Sequence, residues 1–236
     1  MSRPILELRH AECEGPGSYG SGLAGLASIH TVRAWREQIP DDPRAFSAIL
    51  VMGGPMGVSD GATHPWLDDE ITFLKRAVAQ DVPIWGACLG SQLLATALGA
   101  TVSAAPIPEL GVVDVTLTDD GRRDPVWSAV DGPDFPALQW HFDTFEIPAG
   151  ATLLASSADC AHQAFRHGPH VGVQFHLEVD AALLDEWLAV AEYRAELVDV
   201  LGEDGLKRVI ADVARTEDLT RALATTAIRQ WYTAIR

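Results

Sequence analysis

The segment Pro83-Ile-Trp-Gly-Ala-Cys88-Leu-Gly-Ser-Gln92, continuing through Leu93 to Gly99, sets two backbone periodicities end to end. Residues 82–87 are few, mostly apolar and interrupted early by a proline, as in a buried strand. From Leu89 onward the apolar positions are 89, 93, 94, 97 and 98, one face of a helix, and Gly99 supplies its stop. Between them lies Gly86-Ala-Cys88-Leu-Gly90. A glycine two residues to either side of a nucleophile lets the chain turn from strand to helix without Cβ clashes. The turn would set Cys88 at the N-terminal end of the new helix, where unpaired N–H groups favour a thiolate. It would also aim the N–H of Leu89 at a developing oxyanion. Taken by itself the motif is weak, since most intracellular cysteines are small buried hydrophobes, so the rest of the chain has to supply a base.

Upstream, Ile5–Arg9 reads as a short strand. Residues 11–22 carry Gly15, Gly17, Gly20 and Gly22 without the ending or spacing of a phosphate loop, and read as a surface loop. Residues 23–29 read as a helix and Thr31–Trp35 as a second strand. Phe46–Met52 is a buried strand with Gly53-Gly54-Pro55 at its carboxyl end, where open parallel sheets bind ligands and glycine lets the backbone approach closely. A helix follows to Ala79, with apolar residues at 67, 71, 74 and 78. This alternation of strands and helices predicts a mostly parallel sheet covered on both faces.

Downstream the strands are closer together. Gly111–Thr118, Ala137–Thr144, Thr152–Ser156, Ala161–Arg166 and His170–Phe175 predict a small antiparallel portion. His141 and Asp143 lie two apart in one strand, hence on one face; a solvated polar face explains such a pair as well. His176 closes the last strand and Glu178 follows at i+2, a natural base and orienter. From Ala181 the pattern is helical, over 181–191, 203–214 and 217–235, with Gly202 and Gly205 as punctuation.

Composition narrows the function. The chain has 236 residues, 47% of them hydrophobic, enough for one large domain or a domain with an appendage. With 33 acidic against 17 basic residues the net charge is −16, which supplies no basic stripe for nucleic acid. Cys13, Cys88 and Cys160 are odd in number and far apart, unlike a disulfide framework or a zinc site, so no metal or other cofactor is expected and a reducing compartment is. No apolar run approaches ~18 residues, and the N-terminus lacks a signal-peptide core, so a cytoplasmic protein with no membrane span is expected.

Four pieces then combine: Gly53-Gly54-Pro55, Gly86-Ala-Cys-Leu-Gly-Ser-Gln92, Trp140-His-Phe-Asp143 and Gln174-Phe-His-Leu-Glu178. Together they resemble the class I, triad-type glutamine amidotransferases, over about residues 1 to 190, and among these the stand-alone proteins similar to the glutaminase domain of GMP synthase. The resemblance implies a flavodoxin-like three-layer αβα fold with the helical residues 191–236 as a C-terminal extension. It implies Cys88 as nucleophile, His176 as general base and acid, and Glu178 as its orienter. It places the backbone N–H groups of Gly54 and Leu89 in an oxyanion hole, and Gly53, Gln92, His141 and Asp143 around the glutamine pocket. Glu109-Leu-Gly111 resembles a Glu-Ile-Gly segment of the same proteins. Two departures stand out: Leu177 where the family usually has proline, and Ala87 and Ser91 at elbow positions usually filled otherwise. The implied substrate is glutamine or another γ-glutamyl compound. The ammonia would pass to a synthase partner. The alternatives are a self-sufficient γ-glutamyl amide or peptide hydrolase and a non-catalytic regulatory subunit. The C-terminal helices would cap the domain, dock that partner or make a homodimer.

Overall fold

The computed structural model describes residues 3–128 and 130–235. Positions 1 and 236, the outer bounds of the two expected regions, lie outside the described residues. Chain order is β1 (Ile5–Arg9), α1 (Gly17–Leu23), β2 (Ile29–Arg33), β3 (Ala48–Val51), α2 (Trp66–Ala79), β4 (Ile84–Ala87), α3 (Leu89–Ala97) and β5 (Val102–Leu117). There follow α4 (Asp119–Arg123), β6 (Asp134–Phe145), β7 (Thr152–Ser156), β8 (Ala164–His167), β9 (His170–Val173), α5 (Ala181–Leu188) and α6 (Ala191–Ala234). Among the described residues these strands form one nine-stranded sheet in the order β2-β1-β3-β4-β9-β8-β7-β5-β6. It is parallel from β2 to β9 and antiparallel from β9 to β6.

Side-chain alternation splits the core into two layers. Leu6, Leu8, Ile49, Val51 and Ile84 face α2 and α3. Ile5, Ala48, Leu50 and Trp85 face α1 and the end of α6, where Trp231 and Tyr232 are buried. The strands are buried on both faces, which is why they read as continuous apolar runs. This is the mixed, mostly parallel αβα sandwich expected of the sequence.

The antiparallel half curls. An isolated bridge pairs Leu138 of β6 with His176, just past β9, and the His176 N–H donates to the Leu138 carbonyl at 2.8 Å. The curl carries the second half of β6 back over the carboxyl end of β4, where Cys88 sits.

Three expectations are corrected. The glycine-rich loop of residues 11–22 contains most of helix α1, and in 23–29, where a helix is expected, Leu23 ends α1, residues 24–26 turn and Ile29 opens β2. Close contact decides this. A Cβ on Gly22 would come 2.5 Å from Ile228 and one on Gly17 2.2 Å from the Glu178 carbonyl oxygen, so small residues let α1 approach α6 and the sheet edge. The long strand β5 begins at Val102, not Gly111, and absorbs a register shift between Ala104 and Glu109. The segments 203–214 and 217–235 run on as one helix, the second part of α6, joined across a kink at Gly202 to a first part that starts at Ala191. Gly202 alone breaks its helical geometry, at φ 72°, a region glycine enters without strain.

Candidate active site

The elbow sits between β4 and α3. Cys88 takes φ 51° and ψ −113°, a sparsely populated conformation for a residue with a side chain. The flanking glycines are required by contact. A Cβ on Gly90 would lie 2.0 Å from the Val51 carbonyl oxygen, and one on Gly86 2.4 Å from that of Gly90. The Cys88 N–H donates to the Val173 carbonyl at 2.9 Å, tying the turn to β9. Its sulfur lies 3.7 Å from the Trp140 carbonyl oxygen and 3.6 Å from Gln174 Nε2.

His176 is 2% exposed, and its Nδ1 is 2.7 Å from Glu178 Oε1. Burial alone would lower its pKa, but the Glu178 carboxylate, with charge and hydrogen bonding from Cys88, carries it well above the ordinary value. The imidazole is wedged edge-on against Trp187 of α5, ring centroids 5.0 Å apart. Glu178 is held from behind: its carbonyl accepts the Ser18 N–H at 3.0 Å, at the start of α1. Leu177, where the family usually has proline, is fully buried in the core layer. Packing and the Ser18 bond therefore restrain the His-Leu-Glu turn here.

Gly54 and Leu89 lie side by side, since a Cβ on Gly54 would come 2.9 Å from Leu89 Cδ2. Leu89 opens α3, where an N–H has no intrahelical acceptor. Gly53 is buried just behind, and its carbonyl accepts from His10 Nδ1 at 2.9 Å. The other ring nitrogen of His10 is 3.0 Å from Glu70 Oε2, both side chains buried. Burial opposes a charge on His10, yet Glu70 raises its pKa above the ordinary value. His10 thus fastens the glycine loop to α2.

The remaining residues line a cavity of about 130 Å³ with Cys88 and His176. Gln92 donates to Gln174 Oε1 at 3.2 Å and to the Asp143 carbonyl at 3.4 Å. Asp143 borders the cavity, whereas Gly53 does not. His141 touches it too, but its ring turns inward: Nε2 is 3.1 Å from Glu109 Oε2 and Nδ1 is 3.0 Å from the Asp143 carbonyl. Among the described residues, Glu109, His141 and Cys160 bring donor atoms within 4.8 Å of one another, close enough for a metal. The Glu109 carboxylate already accepts from Ser157 and Gln163 at 2.6 Å each, as well as facing His141. The group is satisfied as a hydrogen-bond network that fixes the cavity wall.

Among the cavity residues that sequence reasoning missed, Glu14 and Tyr193 are bonded to each other. Glu14 is 5% exposed and accepts a hydrogen bond from the Tyr193 hydroxyl at 2.6 Å. Burial raises its pKa, with Tyr193 and His176 opposing. Glu14 comes from the glycine-rich loop and Tyr193 from the first turn of α6, so only the fold brings them together. The glycines that allow close packing at residues 17–22 were the one available signal.

A cysteine on a strand-to-helix elbow, at the carboxyl edge of a parallel sheet and lining one cavity with a histidine–carboxylate pair, defines the class as an α/β protein with an elbow at its candidate site. The model of the family Glutamine amidotransferase class-I matches residues 25–189, and the chain belongs to that family. It is similar to the glutamine amidotransferase-like protein YfeJ of Salmonella typhimurium, 32% identical over 75% of this chain and 73% of that one. It is also similar to a subunit of the glutamine-hydrolyzing GMP synthase of Ignicoccus hospitalis, 33% identical over 59% of this chain and 71% of that one. Among solved structures, a glutamine amidotransferase from Thermotoga maritima superposes with a TM-score of 0.88 at 26% identity, covering 98% of this chain and 99% of that one. One from Methylobacillus flagellatus gives 0.89 at 28% identity, over 100% and 96%. Among the described residues, no helix is long and apolar enough to cross a membrane.

Proposed function

We propose that the protein hydrolyses the side-chain amide of glutamine, or of a γ-glutamyl compound, through a thioester on Cys88. The observation that carries this is Cys88 and His176 lining one cavity, with Glu178 Oε1 2.7 Å behind the His176 Nδ1, on an elbow whose glycines admit no Cβ. The Cys88 thiolate attacks the amide carbonyl carbon, forming a C–S bond, while the carbonyl electrons move onto oxygen. The N–H groups of Gly54 and Leu89 stabilise that oxyanion. On collapse the C–N bond breaks and His176 gives its proton to the departing nitrogen. Neutral His176 then takes a proton from water, hydroxide adds to the thioester, the C–S bond breaks, and glutamate leaves with the thiolate restored. Glu178 holds the imidazole and favours its charged form.

Gln92 and Asp143 shape the pocket for the γ-glutamyl group, and the His141–Glu109 pair fixes the strand that carries Asp143. Where glutamine is the substrate, the released ammonia passes to a synthase partner, a reading supported by the likeness to a GMP synthase component. Residues 1–190 act as the amidotransferase unit, with 191–236 as a helical extension packed against it. The test is glutamate release by the purified chain. Cys88→Ala is expected to abolish it while leaving the circular dichroism spectrum unchanged, and full activity in that variant ends the thioester proposal.

A further inference from the structure

A second, open cleft of about 730 Å³ adjoins the nucleophile cavity, and Pro55, Tyr193 and Glu196 line both. Its walls are apolar, with Ala11, Ala189 and Val190 beside the Tyr193 ring. Its charged lining is wholly acidic: Glu12, Glu186, Glu192 and Glu196. Glu12 is neutralised by Arg33 and Arg36, at 3.3 and 3.8 Å. Glu196 accepts the Trp140 indole N–H at 2.6 Å. Glu186 and Glu192 make no ion pair among the described residues. Glu14, whose partner Tyr193 lines both spaces, lines the catalytic cavity alone. One of its oxygens is taken by Tyr193; the other has no hydrogen-bond donor among the described residues, although the side chain is more than nine-tenths buried in the wall of the catalytic cavity. A buried carboxylate left half satisfied costs free energy that an arriving cation offsets.

Ammonia leaving from glutamine needs no such cleft. Apolar walls with carboxylates around them match methylene groups that end in an ammonium. Resting on the thioester reading above, we propose that the leaving amine carries an aliphatic arm bearing a second, protonated amine. The substrate is then a γ-glutamyl derivative of an aliphatic diamine or polyamine, its arm passing Tyr193 into the acidic cleft as the amine leaves with the His176 proton.

The test compares γ-glutamylputrescine with γ-glutamyl-n-pentylamide, its neutral isostere, using the full chain. The γ-glutamyl α-ammonium is common to both and cancels. The cationic substrate is expected to have a kcat/KM about tenfold higher at low salt, with the preference shrinking at high salt. The double variant Glu186→Gln/Glu192→Gln, two exposed positions, is expected to bring the ratio of the two kcat/KM values close to one. Equal turnover of both amides, or preference for the neutral one, with Cys88-dependent glutamate release intact, overturns the substrate class and leaves the chemistry standing. Absence of glutamate release from either amide and from glutamine, with no γ-glutamyl mass on Cys88, overturns the thioester reading itself.

Discussion

His176 shows what one buried contact does to a site. Its raised pKa is the balance of burial, which opposes charge, against the Glu178 carboxylate and Cys88, which together outweigh it. In the proposed reaction, the imidazolium that donates a proton to the leaving nitrogen therefore persists to higher pH than a free histidine allows. Glu178→Gln keeps the shape and removes the charge. The alkaline limb of kcat/KM is expected to move to lower pH, and turnover to fall roughly 10²- to 10⁴-fold. The stability linkage has the same sign. A histidine raised on folding stabilises fully below its unfolded value, and that contribution is lost as pH rises through the folded value. Urea titrations of the variant should therefore show a flatter loss of stability above neutral pH. The side chains of the proposed triad could be picked out in the sequence because each sits in a local motif, Gly-x-Cys-x-Gly or a strand ending in His-x-Glu. Glu14 and His10 could not. Their partners, Tyr193 and Glu70, lie far along the chain, and a lone acidic or imidazole side chain carries no spacing to read.

At the scale of the element, the elbow stores strain. Cys88 holds a positive φ that costs an L-residue roughly 1–2 kcal/mol and costs glycine almost nothing. Cys88→Ala and Cys88→Gly both lack the sulfur but differ in backbone freedom. Cys88→Gly is expected to be the more stable of the two by about 1 kcal/mol in chemical denaturation, despite glycine's greater entropy when unfolded. Equal stabilities would mean that the turn is relaxed. The strand and helix on either side were legible because the period changes from that of a strand to that of a helix within one run of residues. Helix α1 was not, because glycine and serine are poor helix formers and only packing against α6 selects them. The length of α6 was hidden for the opposite reason. Gly202 and Gly205 look alike in sequence, yet only Gly202 leaves the helical region while Gly205 is buried inside the helix.

Over the whole molecule, the last turns of α6 reach the strand that carries the nucleophile. Trp231 packs edge-on against Trp85, ring centroids 5.7 Å apart, and donates its indole N–H to the Pro169 carbonyl at 2.9 Å. Trp85 lies three residues before Cys88. Trp231→Ala is expected to cost about 3–5 kcal/mol, visible as a lower melting temperature, because the site is walled by Trp85, Ile228 and Tyr232 and cannot collapse. Trp231→Phe should recover most of that loss. A variant Trp231→Ala as stable as the parent would show that α6 merely leans on the sheet.

That same tryptophan pair constrains the order of events on the ribosome. The strand bearing the cysteine emerges early, with one of its faces bare until residues 223–232 have been made. Contacts so distant along the chain close slowly. A nascent chain stalled before residue 223 therefore leaves Trp85 without its last cover, and that layer of the core is sealed late, when the long terminal helix swings in beneath the sheet.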